Sequence, residues 1–354
     1  MKPENQTVNR LVGLDIVRTV AVICVICGHF FSINTPYNQT PYEGSSMYFQ
    51  GFLKSVFCSV GVPFFLLLSG FLCCHKSLSI SYYKSIRKVL VPYLVISIIA
   101  WIVLSSSYSL HKMILGILGF KIIGYAWYVE MYLGLFLIIP FINIVLEEVF
   151  KKGWTWYLLA TALLMTALPA LVNRKGITLV PGFWTMTFPV TYYVIGALIR
   201  HFEPHWKNKW LAFLGSLLLF AIGPFSRAII FKVSGGGISA SVSGSYYSLI
   251  NVFATSILFI LLYDINNLPR WKAKTFEFCA LAAFETFLFS YLFDKLLYPI
   301  FLEKCYTSQS QFIVWFVPIT LLVFVFSLSA SYLYKGTILL FDKTISYVKN
   351  RNIR

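Results

Sequence analysis

The chain is 354 residues long, 58% hydrophobic and only 12% charged, with a formal net charge of +16. A water-soluble domain carries roughly 25% charged residues, so this composition excludes an ordinary soluble globule and leaves an integral membrane protein. The basic residues lie in short segments between apolar runs. That is an orientation pattern for a membrane protein rather than a nucleic-acid-binding face.

Ten apolar segments are predicted to span, at about 12–33, 52–73, 89–105, 122–146, 154–172, 178–199, 210–230, 246–264, 277–301 and 311–334. The expected fold class is all-α: a polytopic helical bundle of about ten transmembrane helices, forming one domain over 1–354 with no fused soluble domain. The first run is too long for a signal peptide, holds Asp15 and Arg18 and lacks a small-residue cleavage site, so it is read as retained. The run 113–119 is too short to cross and reads as interfacial or re-entrant. The longest polar connections are 34–51 and 232–245, the latter a flexible Gly/Ser segment. Ten spans place both termini on one side. Lys54, Lys112, Lys121, Arg174, Lys175, Lys232 and Lys304 then fall on the opposite side, and Arg18, Arg227 and Lys295 within spans, out of 29 Lys and Arg in all. The positive-inside rule therefore favours cytoplasmic termini.

The first span reads LVGLDIVRTVAVICVICGHFFSI, and ten residues separate Arg18 from His29. On a helix these Cα atoms are about 16 Å apart along the axis, whereas a bilayer core is about 30 Å thick. Both cannot reach headgroups, so ionisable groups lie at membrane depth, where each costs roughly 2.5–3.5 kcal/mol and faces a cavity or the bundle interior. Eleven steps of about 100° bring the two residues to one face. Asp15, three residues before Arg18, is placed to pair with it. The chemistry this stripe suits is an anionic ligand at Arg18 and a general base at His29, since imidazole titrates near neutrality. The plainer alternative has Arg18 snorkelling inward and His29 at the opposite interface.

Further along, Ser69-Gly70 lets another backbone approach closely. Arg87 and Lys88 open the third span, where they serve either as a positive-inside cap or as a phosphate site. Glu130 follows Trp127-Tyr128 in the fourth span, and Asp294 and Lys295 lie in the ninth. A pairing of Arg227 or Lys295 with Glu130 or Asp294 is the structural expectation. Seven cysteines are present. Cys24 and Cys27 form a CxxC inside a membrane helix, which lacks the context of a redox or zinc motif and reads as packing. No disulfide framework and no metal are expected. There is no Walker A loop, GxGxxG, GxSxG or HExxH.

Several of these segments together resemble the integral-membrane acyltransferase 3 family, which O-acylates bacterial surface glycans and related acceptors. LDIVRTVAVICVICGHF matches the family's Arg/His motif at Arg18 and His29. FFLLLSGFL over 64–72, YKSIRKVLVPY over 83–93 and the aromatic pair Trp127-Tyr128 follow in order. The likeness covers nearly the whole chain. One departure is in the late helix, where many members carry a His and this chain has Asp294 nearby. The esterase-like domain fused to some members has no counterpart in the sequence.

The resemblance implies catalysis by His29, as general base or as brief carrier of the acyl group, and by Arg18, with Arg87, Lys88 and Arg18 holding the donor and Asp15, Ser69, Trp127, Glu130 and Asp294 in support. It also implies acyl-coenzyme A, acetyl first, as co-substrate and a glycan or lipid-linked sugar as acceptor. Other envelope-glycan enzymes are possible partners, and the expected location is a bacterial cell membrane. Two readings from other classes stay open: an exporter of glycan or lipid-linked sugar, and a non-catalytic partner of a glycan synthase.

Overall fold

Long apolar runs become helices because a bilayer offers backbone N–H and C=O groups no partner beyond their own chain. The structure is a computed structural model that describes residues 11–40, 44–105, 109–173, 178–234 and 246–351. The side chains of 227, 228, 230–234 and 341–351 are outside that description. Among the described residues all regular structure is helical. Residues 235–245 of the connector expected at 232–245, the side chain of Arg227, and Arg174 and Lys175 fall outside the described residues.

The first helix, α1 (Val12–His29), continues into a π-helical turn at Phe30–Asn34. Then come α2 (Gly44–Cys73), α3 (Ile80–Lys84), α4 (Arg87–Leu104) and α5 (Leu110–Leu118). They are followed by α6 (Trp127–Lys152), α7 (Thr155–Thr166), α8 (Leu168–Val172) and α9 (Phe188–Phe202). The last five are α10 (Lys209–Ser234), α11 (Leu249–Tyr263), α12 (Arg270–Leu281), α13 (Ala283–Lys304) and α14 (Ile313–Arg351).

Among the described residues, six helical stretches are long and apolar enough to cross a membrane, or seven if α12 and α13 count as one bent span. The predicted segments 154–172, 178–199, 246–264 and 277–301 differ from simple spans. The first is divided into α7 and α8 just before Pro169, whose ring cannot continue a helix. The second begins with a 3-10 turn, and its helix α9 starts beside Pro189. Both α9 and α11 have 15 residues, or about 22 Å of helix, short of a full hydrocarbon core. The fourth bends by 65° at Ala282, between α12 and α13. Lys335 of α14 holds that bend, donating from Nζ to the Leu281 carbonyl and pairing with Glu285.

Helix α1 is the centre of the bundle. It packs against α2, α11, α12, α13 and α14, and its buried positions fall all round its circumference. A helix enclosed in this way can carry polar groups that lipid would reject. Helices α2 and α9 cross in close contact, which explains Ser69-Gly70. A Cβ at Gly70 would lie 2.0 Å from the Tyr193 carbonyl oxygen, and one at Gly196 would lie 2.1 Å from that of Leu67. Asn143 of α6 secures the same end, donating to the carbonyls of Cys73 and Lys76 and accepting from the Tyr193 hydroxyl.

Because the obstructing atoms at Gly70 are backbone, Gly70→Ala is expected to push α2 from α9. The expected cost is at least the ~1–3 kcal/mol of overpacking, with loss of a monodisperse peak in detergent. Gly215→Ala, where no atom lies within 4 Å, is the matched control and should leave the unfolding midpoint in place.

Candidate active site

At one end of α1, Arg18 Nη1 donates to Asp15 Oδ1 at 2.9 Å, as their spacing predicts, with the Asp15 side chain only 3% exposed. Thr19 Oγ bonds back to the Asp15 carbonyl and approaches that of Phe276 in the middle of α12. The Arg18 side chain is itself 30% exposed and lines a cleft of about 360 Å³. That cleft gathers Arg18, Ser69, Lys88, Tyr132 and Glu285 from five helices. Lys88 is positioned from α3, where Tyr82 stacks on Phe136 with centroids 4.4 Å apart and donates to the Phe136 carbonyl. Ser69 Oγ is spent within its helix on the Phe65 carbonyl. Arg87 is exposed on the same turn as Lys88, but its Nε bonds to the Lys84 carbonyl and it does not line the cleft.

At the other end of α1, His29 Nδ1 faces Asp294 Oδ2 of α13 at 3.6 Å. The same oxygen accepts a 2.5 Å hydrogen bond from the Tyr125 hydroxyl. The ring of Tyr125 lies against the imidazole, with centroids 3.7 Å apart. The Asp294 side chain is fully buried. His29 Nδ1, Asp294 Oδ1, Asn34 Nδ2 and the Tyr298 hydroxyl are all buried without a hydrogen-bond partner. Native interiors rarely leave such groups unmatched, and several around one point mark a polar site built to receive something. The π-helical turn after His29 carries Asn34 back toward the hydroxyls of Tyr125 and Tyr298. Single wide turns of this kind recur at functional sites.

His29 borders a chamber of about 90 Å³, together with Ser32, Cys58, Val62, Trp127 and Phe287. With Nδ1 turned to the Asp294 carboxylate, Nε2 is the nitrogen left for the chamber. A carboxylate at Nδ1 favours the tautomer with its proton there, so that Nε2 carries the lone pair. An imidazole set against a carboxylate is the geometry that a general base with an orienting acid uses in nucleophilic transfer chemistry.

The sequence expectations therefore divide. Arg18, Ser69 and Lys88 meet in one cavity, while His29 and Trp127 meet in another with Asp294 directly behind. Glu130 is exposed in the first turn of α6 and lines neither. The expected pairing of Lys295 with a carboxylate is not formed: its Nζ lies over the Tyr291 ring, and Asp294 turns to His29 and Tyr125 instead. Adjacent helix positions point about 100° apart, so the two could not face one site. Tyr125 and Glu285 are site residues that the spacing arguments missed. Tyr125 precedes α6 in a short loop, where no periodicity marks a side chain's direction. Glu285 sits one turn beyond the Ala282 bend, which the sequence does not announce.

The chain belongs to the acyltransferase 3 family: that family's profile, described as an acyltransferase domain, matches residues 11–333. It is accordingly a membrane acyltransferase, consistent with its long apolar helices. No curated protein and no solved structure matches the chain.

Tyr125→Phe tests the clamp on Asp294. It removes the bond to a buried carboxylate and is expected to cost about 1–3 kcal/mol, read as a lower unfolding midpoint in detergent. An unchanged midpoint would mean that the Tyr125 hydroxyl does not support Asp294.

Proposed function

We propose that this protein is an O-acyltransferase that moves an acyl group, acetyl first, from acyl-coenzyme A to a hydroxyl of an extracytoplasmic or lipid-linked glycan. The observation that carries this reading is the pair of cavities on α1, one basic and one holding a histidine backed by a carboxylate. A phosphate-bearing thioester and a hydroxyl acceptor need these two environments. On this reading the chain forms about ten membrane crossings, with α9, α11 and the bent α12–α13 unit among them. Both termini are cytoplasmic and the membrane is a bacterial plasma membrane, as the distribution of Lys and Arg favours.

The donor enters at the Arg18 cleft, where Arg18 and Lys88 meet its phosphates and Arg87 adds charge from outside. A larger cleft of about 810 Å³ beside the loop after α2 also holds Lys76, Lys151 and Arg200. Lys151 and Arg200 are paired there with Glu147 and Glu203, which leaves that cleft the weaker phosphate site. In the Arg18 cleft, Glu285 is drawn to Lys335 and so competes less for the cations.

In the transfer step, the acceptor oxygen attacks the thioester carbonyl carbon while His29 Nε2 takes the hydroxyl proton. The C–S bond breaks as the ester forms, and the imidazolium returns the proton to the departing thiolate. Coenzyme A leaves as the free thiol. Asp294 holds Nδ1 through the cycle and takes the positional role that a late-helix histidine has in many members.

The test uses inside-out envelope vesicles from the native host, with labelled acetyl-coenzyme A and the host's own envelope glycan as acceptor. His29→Ala should abolish label transfer. Asp294→Asn should lower kcat by roughly 10²–10⁴-fold, with little change in the donor KM. Lys88→Ala should instead raise the donor KM by about tenfold, equivalent to ~1.4 kcal/mol. Wild-type transfer by His29→Ala would overturn the assignment.

A further inference from the structure

The two cavities share helices α1, α2, α6 and α13, and three neighbouring aromatic rings lead from one to the other. Phe65 and Tyr128 border the Arg18 cleft, and Phe287 borders the His29 chamber. The Tyr128 ring lies 5.9 Å from Phe65 and 5.6 Å from Phe287, centroid to centroid, and is buried along with Phe287. The phosphates of the donor therefore bind on one side of an aromatic layer, and the base waits on the other.

Beyond that layer the space is small and its walls are firm. The chamber holds about 90 Å³, against about 150 Å³ for an apolar cavity that takes benzene with its six non-hydrogen atoms. On that scale it has room for about four non-hydrogen atoms, an acetyl or a propionyl group. Beside it α1 and α2 approach backbone to backbone: a Cβ at Gly28 would lie 3.4 Å from Cys58 N, and one at Gly61 would lie 3.1 Å from Val25 N. Helices packed this closely cannot spread to admit a longer chain without losing contacts elsewhere. Among the described residues no Lys or Arg lines the chamber, so an acyl group ending in a carboxylate would be buried there unpaired.

We propose that Phe65, Tyr128 and Phe287 form the partition through which the thioester arm reaches His29, and that Phe287, Val62 and Cys58 limit the transferred group to an uncharged acyl of two or three carbons. The proposal rests on the acyl-transfer reading above. It leaves the bonds made and broken in that step unchanged and assigns specificity to residues remote from the donor phosphates. Shortening Phe287 lengthens the chamber toward α13 and opens the partition at once.

The host vesicles decide this when supplied in turn with acetyl-, propionyl-, butyryl- and succinyl-coenzyme A, with glycan mass as the readout and vesicles lacking the gene as blank. Wild type should transfer acetyl and propionyl at least tenfold faster than butyryl or succinyl. Phe287→Ala should raise the butyryl-to-acetyl ratio about tenfold, and Phe287→Leu should raise it by less, without improving succinyl. Equal wild-type rates for acetyl and butyryl, or ratios unchanged in both variants, would overturn the chamber as a gauge while leaving acyl transfer intact. If neither variant folds, the wild-type series alone decides. Absence of gene-dependent transfer from every donor would overturn the gauge together with the reading beneath it.

Discussion

A polar group on α1 has no water to turn to, and the rest of the structure follows from that constraint. Arg18 takes Asp15 from its own helix, and His29 takes Asp294 from α13. Each arrangement requires α1 to be enclosed, which α2, α11, α12, α13 and α14 accomplish. Enclosure in turn demands backbone contact elsewhere, as at Gly70 and Gly196 between α2 and α9. The charge placement and the tight crossings are thus two sides of one packing problem. A looser bundle would let lipid reach the stripe and remove the environment in which those groups are tolerable.

Division of labour between the two ends of α1 follows from the partners each residue finds. Arg18 keeps part of its side chain open beside Lys88, so this end retains positive charge for a ligand. His29 lies between the Asp294 carboxylate and the tilted ring of Tyr125, which together orient its imidazole. The unmatched buried atoms of Asn34, Asp294 and Tyr298 concentrate at that same end. Unsatisfied polarity is costly in a low-dielectric interior, and its concentration around one chamber distinguishes a site from ordinary core.

The sequence made the stripe legible because Arg18, His29 and Asp15 are related by helical periodicity within one segment. Local arithmetic suffices there. It also marked Lys88 and Ser69, though not that these would share a cleft with Arg18. Asp294 was visible as a buried charge, but its partner was not, since contact between α1 and α13 depends on packing that no spacing rule encodes. Tyr125, in a loop, carried no periodic signal. Hydropathy located the apolar runs and missed how several are interrupted. Pro169 explains one break, whereas the Ala282 bend depends on a Lys335 contact from another helix.

The pairing of Arg18 with Asp15 inside a single helical turn also matters for biogenesis. The first helix leaves the ribosome long before α13 exists, so any countercharge from α13 arrives only near the end of translation. Arginine cannot discard its proton and needs an anion at the moment of insertion; Asp15 travels with it. Imidazole can enter as a neutral base and wait. The order in which the chain is made therefore matches the protonation chemistry of the two residues: the permanently charged one brings its own counterion, and the one that can be neutral is left to find Asp294 when the bundle closes.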